Sequence, residues 1–207
     1  MRSDATPSLP KDNQVPLPGA ELFLIRDWIE PAQADLLLDR LLEGIAWETH
    51  RIRLFGRSVD SPRRSCWIGD PDASYAYSGA RFEPHPWPAP LADLRARLSN
   101  ELGAPFNSVL ANLYRDGSDY MGWHSDDERE LGPRPVIASV SLGAERRLLL
   151  KHRVDPSIKW AAALAHGSLL VMAGDTQRNY RHSLPRTARP MPARINLTFR
   201  QVGPARA

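Results

Sequence analysis

Most apolar residues of the chain lie in short segments bounded by Gly, Pro or polar residues, a spacing typical of β-strands. Only Gly143-Ala144-Glu145 separates two of these segments, which predicts a hairpin. Two longer stretches have leucines at helical spacing, one from Pro31 to about Gly44 and one ending near Leu102 before Gly103. We therefore predict an α+β, mainly β domain: an antiparallel double-sheet barrel with two N-terminal helices. The predicted strands are 21–25, 47–54, 109–115, 136–142, 147–150, 167–172 and 194–200.

Length and composition limit the kind of protein. The 207 residues suit a single domain, which we place at 19–203, after a proline-rich tail at 1–18 that we expect to be disordered. Cys66 is the only cysteine, so the chain can form no internal disulfide and a reducing compartment is expected. Neither a membrane span nor a signal peptide is recognisable. We expect a soluble intracellular monomer without a membrane partner, cytoplasmic if the source is bacterial.

One His-x-Asp pair predicts a metal site. Of six histidines, only His124 has a carboxylate two residues downstream, Asp126. Extended backbone places such residues on the same side, so both can reach one ion, and His182 is the best third candidate. Two histidines and one carboxylate on one face of a metal are the arrangement of non-haem Fe(II) oxygenases. Serine catalysis is disfavoured, because Ser139, Ser141 and Ser168 lack the glycine elbow of a hydrolase nucleophile.

The predicted strand 194–200 brings two arginines to one face. Its apolar residues Ile195, Leu197 and Phe199 alternate with polar ones and should face a core. Buried guanidiniums require anions, and their donor forks suit carboxylates. A small dicarboxylate would fit this face, which consists of Arg194, Asn196, Thr198 and Arg200.

Arginine is concentrated in this chain. Of the 27 basic residues, three are lysine and the rest are arginine, and the net charge is +3. A genome rich in arginine codons would explain the total. The distribution favours a phosphate backbone as partner, because residues 51–64 hold five arginines and one acid, and no acid follows Asp175.

Three segments taken together, NLYRDGSDYMGWHSDDE, HGSLLVM and RINLTFR, resemble the AlkB family of Fe(II)/2-oxoglutarate dioxygenases, which repair alkylated nucleic acids. LFGRSVDSPRR and YAYSG are most similar to the branch acting on double-stranded DNA. The resemblance implies a double-stranded β-helix, or jelly roll. It implies Fe(II) bound by the catalytic residues His124, Asp126 and His182, with O2 as cosubstrate. It also implies 2-oxoglutarate bound by Asn112, Tyr114, Arg194, Asn196, Thr198 and Arg200.

The same resemblance implies a nucleotide-recognition region at about 47–80. Phe55, before Gly56 at a hairpin tip, either folds back onto the domain or enters the base stack as a wedge. Arg63 matches a basic residue that contacts DNA. Tyr75 and Tyr77 either pack against side chains of a neighbouring strand or line the pocket for the base. At the position of Tyr77 the family more usually has a phenylalanine. Asp127 or Glu128 is either solvated surface or lies beside the cationic methylated base.

The implied function is oxidative demethylation of DNA bases of the 1-methyladenine and 3-methylcytosine type, releasing formaldehyde and succinate. Duplex DNA is the expected partner, with single-stranded DNA or RNA as alternatives. Two rival functions are the same chemistry on RNA or protein, and a damaged-DNA-binding module without catalysis. The second rival conflicts with the complete set His124, Asp126, His182, Arg194 and Arg200, because a retired site has no physical reason to keep them.

Overall fold

The computed structural model describes residues 11–54, 57–73, 75–77 and 80–203. Within this part, the α-helices are α1 (Pro31–Gly44), α2 (Ala89–Leu102) and α3 (Thr176–Asn179). The strands are β1 (Glu21–Ile25), β2 (Arg51–Leu54), β3 (Arg57–Asp60), β4 (Arg64–Gly69), β5 (Tyr75–Tyr77), β6 (Ala80–Phe82), β7 (Ser108–Tyr114), β8 (Met121–His124), β9 (Ile137–Gly143), β10 (Arg146–His152), β11 (Lys159–Leu164), β12 (Leu169–Ala173), β13 (Tyr180–Leu184) and β14 (Arg194–Arg200).

Two antiparallel sheets form the body of the protein. The larger has six strands in the order β1-β12-β9-β14-β7-β4, and the smaller has four in the order β11-β10-β13-β8. Two separate ribbons, β2-β3 and β5-β6, lie between β1 and α2 in sequence. Most neighbours within each sheet are distant in sequence, as in a jelly roll, so the predicted fold class is confirmed.

The predicted hairpin around Gly143 is wrong. β9 belongs to the larger sheet and β10 to the smaller one, so the turn carries the chain from one sheet to the other. Gly143 has φ +84°, and its N–H donates to His166 Nδ1 at 2.8 Å. The positive φ suits glycine, which has no Cβ to clash in the left-handed region. Two strands close in sequence can therefore lie in different sheets, and their length and polarity alone do not reveal it.

Helices α1 and α2 cover the outer face of the larger sheet. α1 contributes Ala34 and Leu41 to the main core, and α2 contributes a stripe at helical spacing, as predicted. The same core receives Ile195, Leu197 and Phe199 from the outward face of β14. α2 ends at Gly103 in the left-handed conformation, with φ +62°, which is the expected glycine stop. The stripe on α2 consists of Leu91, Leu94, Leu98 and Leu102.

A second core lies between the sheets, and the N-terminal segment closes one end of it. Leu148 and Leu150 of β10 pack there against residues of the larger sheet. Leu17 joins this core and is only 9% exposed, and Val15 N–H donates to the Leu22 carbonyl at 2.8 Å. The expectation of a disordered tail up to residue 18 is therefore wrong for residues 11–18, because they cover apolar side chains of the β-sandwich.

None of the helices in the described ranges is long and apolar enough to cross a membrane.

Candidate metal and dicarboxylate site

A cavity lined by both polar and apolar side chains lies between the two sheets, beside the second core. The larger sheet supplies side chains from β7 and β14, which pair so that Arg194 is opposite Tyr114 and Asn196 is opposite Asn112. The smaller sheet supplies His124 from β8 and His182 from β13. These site candidates line the cavity: Asn112, Tyr114, His124, Asp126, His182, Arg194, Asn196, Thr198 and Arg200. The sequence alternation on strand 194–200 correctly predicted which residues of β14 face it.

Three ligand-type side chains converge at one end of the cavity. His124 and His182 are directly opposite each other on β8 and β13, and their ring centroids are 4.1 Å apart. Asp126, just after β8, places Oδ1 3.9 Å from His124 Nε2. One ligand atom from each of the three lies within 4.8 Å of the others. Two histidines and one carboxylate so arranged can hold a divalent metal and leave positions open.

Hydrogen bonds orient two of these ligands. His124 Nδ1 is 2.9 Å from the Gly122 carbonyl oxygen. Because a carbonyl only accepts, Nδ1 carries the proton and Nε2 keeps a lone pair for a metal. The backbone N–H of Asp126 donates to Gln177 Oε1 at 2.9 Å, which fixes the loop after β8. Both contacts prearrange the ligands before a metal arrives.

The charges at the ligands suit metal binding. Burial of Asp126 acts to raise the pKa of its carboxyl, but the charge of Arg200, then those of His182 and His124, and an Arg200 hydrogen bond outweigh it and give a pKa of about 2. Arg200 Nη2 donates to Asp126 Oδ1 at 2.8 Å. Burial, with smaller effects of neighbouring charges, lowers the pKa of His182 to about 3. At neutral pH the site thus offers a carboxylate and a neutral imidazole, the forms that bind metals.

Arg194 lies at the opposite end of the row of polar residues on β14. It is 1% exposed, and its Nη2 donates to Ser141 Oγ at 2.9 Å. Its Nε and Nη1 are buried without a hydrogen-bond partner among the described residues. Burial lowers the pKa of Arg194 to about 10, partly offset by the Tyr114 phenol, so the group stays charged at neutral pH. Two unsatisfied donors on a buried cation indicate an anion site.

Asn112, between the two arginines in the cavity wall, has its amide orientation fixed by Arg63. Arg63 Nε donates to Asn112 Oδ1 at 2.7 Å, and this hydrogen bond is buried. A guanidinium has no acceptor, so Asn112 must present its oxygen to Arg63. The amide NH2 group is then left to donate elsewhere. The cavity lining therefore combines two guanidiniums with a further donor, a set that favours a dicarboxylate.

Residues 21–200 match the 2OG-Fe(II) oxygenase superfamily. The chain belongs to this superfamily. It is 38% identical to the DNA oxidative demethylase ALKBH2 of Arabidopsis thaliana, over 89% of this chain and 67% of the relative. It is 39% identical to human ALKBH2, covering 83% and 69% of the two chains. Within the superfamily, these similarities place the oxygenase in the AlkB family, beside its double-stranded-DNA branch, as the sequence motifs predicted.

A third relative and a solved structure agree with this placement. The alpha-ketoglutarate-dependent dioxygenase alkB homolog 3 of Rattus norvegicus is 35% identical to the oxygenase, over 89% of this chain and 65% of the relative. The structure of OsALKBH1 has a TM-score of 0.59 at 20% identity and covers 91% of this chain and 100% of that one. At this identity the structural match supports the shared fold alone.

Membership of the superfamily makes this protein an Fe(II)- and 2-oxoglutarate-dependent dioxygenase. The residues present fit both cofactors. Three converging ligands with a fixed histidine tautomer suit Fe(II). Nε and Nη1 of Arg194, which have no hydrogen-bond partner among the described residues, suit an anion such as a carboxylate of 2-oxoglutarate. The cofactors predicted from sequence are confirmed.

Several residues that support the oxygenase site were not assigned to it from the sequence. Ser139 accepts a 2.7 Å hydrogen bond from Asn196 Nδ2, as Ser141 does from Arg194. Arg146 is buried and donates to the carbonyls of Asp116, Asp119 and Pro185, which ties the loops beside the site together. Alternation along β9 could have shown that the two serines share a face with the cavity. Nothing in the sequence signals Gln177, because its role depends on a loop contact.

Three other candidates from the sequence, Arg63, Asp127 and Glu128, do not line the cavity. Arg63 is only 7% exposed and contacts Asn112, so its guanidinium lies within the protein. Asp127 is exposed and pairs with Arg153 at 2.8 Å, and Glu128 is half-buried at the start of a short 3-10 helix. Phe55, Gly56 and the side chains of Tyr75 and Tyr77 lie outside the part of the chain that the structure describes.

Proposed function

We propose that this oxygenase is a DNA repair enzyme that removes methyl groups from alkylated bases, of the 1-methyladenine and 3-methylcytosine type. The observation that carries the proposal is the complete site: three metal ligands and two buried guanidiniums in one cavity. Relatives with more than a third of their residues identical are named DNA oxidative demethylases. The name that these relatives share supports DNA as the substrate. The complete set of site residues supports catalytic activity as a dioxygenase.

The two ends of the cavity would hold the two ends of the cosubstrate. Arg200 contacts the metal ligand Asp126, so it is placed for the carboxylate of 2-oxoglutarate nearest the iron. Arg194, at the far end of β14, is placed for the distal carboxylate. Asn112, Tyr114, Asn196 and Thr198 complete the wall between them. His124, Asp126 and His182 would hold Fe(II).

When bound, the two cofactors supply oxidation of an N-methyl group to a hydroxymethyl group, which leaves as formaldehyde. The protein's own contribution is to keep ligands and cosubstrate in fixed orientation and to limit access of water. A base must leave its stack to reach the site, at a cost of a few kcal/mol that is smallest where methylation has already broken pairing. Lesions are thus selected partly by the weakness of their own base pairs.

The region 47–80 would recognise the nucleotide. In this proposal Phe55, at the tip beside Gly56, fills the gap left by the flipped base, while Tyr75 and Tyr77 contact the base itself. Duplex DNA is then the preferred substrate, because a wedge is useful only in a stack. Asp127 or Glu128 would favour a cationic methylated ring over a neutral one. We further propose that the enzyme acts as a monomer inside the cell, where its single buried cysteine stays reduced.

A turnover panel tests the proposal. The purified enzyme, loaded with Fe(II), is given 2-oxoglutarate and methylated oligonucleotides as single-stranded DNA, duplex DNA and RNA. We expect formaldehyde and succinate in equal amounts, the highest rate on DNA, and a methyl-free base by mass spectrometry. His124→Ala is the control and should release no formaldehyde while melting like the wild type. Succinate formation without loss of a methyl group from any oligonucleotide would contradict the proposal.

A further inference from the structure

A buried cation lies close to the cavity but is not part of its wall. Arg146, at the start of β10, is 3% exposed and does not line the cavity. Its guanidinium donates to the carbonyl oxygens of Asp116 at 3.0 Å, Asp119 at 2.9 Å and Pro185 at 2.7 Å. The Asp119 carboxylate pairs with Arg115 instead. Carbonyl dipoles stabilise a buried charge but do not neutralise it, so the positive charge of Arg146 acts on its surroundings.

Arg146 reaches the cavity through the ring of Tyr114. Arg146 Cζ lies over this ring at 5.8 Å from its centre, and Arg194 Cζ lies over it at 5.3 Å. A guanidinium within about 6 Å of an aromatic ring centre is attracted by the ring, so the two arginines share one ring. Tyr114 lines the cavity and is opposite Arg194 in the pairing of β7 with β14. Arg146 therefore helps to hold a side chain of the cavity wall in place.

The charge of Arg146 also acts on the Arg194 end of the cavity. Burial is the main cause that lowers the pKa of Arg194, and the nearby charge of Arg146 lowers it further. Burial lowers the pKa of Arg146 as well, yet a guanidinium stays protonated at neutral pH. The two cations repel each other, and an anion beside Arg194 stabilises both of them. An anion that contacts only Arg194 is therefore attracted by two positive charges.

We propose that Arg146 is a positioning residue that makes the site select a dicarboxylate as cosubstrate. It holds the Tyr114 ring, and its charge favours a second carboxylate at Arg194, the group that a monocarboxylic keto acid lacks. The inference rests on the proposed placement of the distal carboxylate of 2-oxoglutarate at Arg194.

The rival role of Arg146 is a purely mechanical one. Its three hydrogen bonds join the loop at 115–120, between β7 and β8, to the segment after β13. A mechanical tie needs only the hydrogen bonds, whereas selection of a dicarboxylate needs the charge. Variants that keep one property and lose the other therefore distinguish the two roles.

The test compares the binding of two keto acids by isothermal titration calorimetry on the enzyme loaded with Mn(II), which reports affinity independently of turnover. 2-Oxoglutarate and 2-oxopentanoate share the keto-acid end and the chain length, but 2-oxopentanoate has a methyl group in place of the distal carboxylate. The wild type should bind 2-oxoglutarate more tightly, and the ratio of the two dissociation constants is the selectivity. Arg146→Met should lower the selectivity about tenfold, because it removes one of two charges that attract the distal carboxylate. Its affinity for 2-oxopentanoate should equal that of the wild type.

Two more variants separate the charge from the hydrogen bonds. Arg146→Lys keeps the charge with fewer donors and should retain most of the selectivity. Arg146→Gln keeps a donor without the charge and should lose selectivity as Arg146→Met does; it replaces that variant if Arg146→Met does not melt cooperatively. The matched control is Arg115→Met, which removes a half-exposed arginine whose side chain donates to Asp119 of the same loop. It should leave the selectivity unchanged.

Three kinds of result would overturn the inference. Wild-type selectivity in Arg146→Met and Arg146→Gln would show that the charge has no influence on the distal carboxylate. An equal loss of selectivity in Arg146→Lys and Arg146→Met, or in Arg115→Met and Arg146→Met, would assign the effect to the loop. If the wild type binds both keto acids equally, the placement of the distal carboxylate at Arg194 fails as well. The calorimetry contains no oligonucleotide, so a failure to demethylate DNA in the turnover panel leaves its results interpretable.

Discussion

Replacing Arg63 by methionine tests whether a residue outside the cavity controls cosubstrate binding. Arg63 does not line the cavity, but it contacts a residue that does. Its Nε donates to Asn112 Oδ1 at 2.7 Å, and its Nη1 donates to Ser61 Oγ at 3.3 Å. The first contact determines which end of the Asn112 amide faces the cavity, where 2-oxoglutarate would bind. Without it, the amide can rotate and present its oxygen to a carboxylate, where the two would repel each other.

The structure sets the size of both effects. Loss of the guanidinium leaves a buried amide oxygen unpaired, which costs about 2 kcal/mol of stability and lowers the melting temperature by about 6 °C in a domain of this length. Loss of a hydrogen bond between the Asn112 NH2 group and an anion is of similar size, about 1.5 to 3 kcal/mol. We therefore expect the KM for 2-oxoglutarate to rise at least tenfold.

The assay is succinate release at varied 2-oxoglutarate concentration, with a thermal melt and oligonucleotide binding measured on the same preparations. Arg64→Met is the matched control, because the adjacent arginine is exposed. It should change neither KM nor melting temperature. In a variant that already carries Asn112→Ala, adding Arg63→Met should not raise the KM for 2-oxoglutarate further. Arg63 acts on this KM through the Asn112 amide, so the effects of the two substitutions are not additive.

One outcome would refute this reasoning. The resemblance to the double-strand branch assigns Arg63 to DNA. If Arg63→Met leaves the KM for 2-oxoglutarate unchanged but weakens DNA binding, the side chain serves the nucleic acid and the contact with Asn112 is incidental.

Three further outcomes follow from the structure and the sequence. Arg194→Met should raise the KM for 2-oxoglutarate more than tenfold, measured by succinate release, while Arg147→Met on the surface should not. Burial, aided by the charge of Glu48, raises the pKa of the Cys66 thiol from 9.0 to about 12 in the folded protein. As pH rises, the thiol therefore ionises first in the unfolded chain. The free energy of unfolding that this group contributes is fully present below pH 9 and is lost between pH 9 and 12. Urea titrations between pH 9 and 12 should show a smaller decline in the free energy of unfolding for Cys66→Ala than for the wild type. Equal declines in the two proteins would contradict this prediction. Phe55→Ala should lose more formaldehyde release on duplex than on single-stranded substrate; equal losses would remove its wedge role.

The sequence predicted the parts of the site that depend on local spacing. The His-x-Asp pair required only that its two residues share one side of an extended segment, and the alternation of 194–200 required only a period of two. Both β1 and α1 were also predicted with the bounds observed, because Pro31 and the leucine spacing are local signals.

The parts that failed depend on partners far away in sequence. β9 and β10 looked like a hairpin because sheet membership is decided by neighbours such as β14 and β13, not by the turn between them. Leu17 lies in a segment of low apolar content, yet it completes a core built mostly from residues after 137. Arg63 looked like a surface cation, and only the position of β7 shows that Asn112 is within reach.

The position of β14 implies an unusual intolerance to length changes. It pairs with β7 along all seven residues and with β9 along six. One inserted residue would invert its alternation, sending Phe199 into the cavity and an arginine into the apolar core. In a scan of substitutions, insertions and deletions, strand β14 should therefore tolerate substitutions at some positions but no insertion or deletion of a single residue. The exposed turn 154–157 should accept such indels more readily.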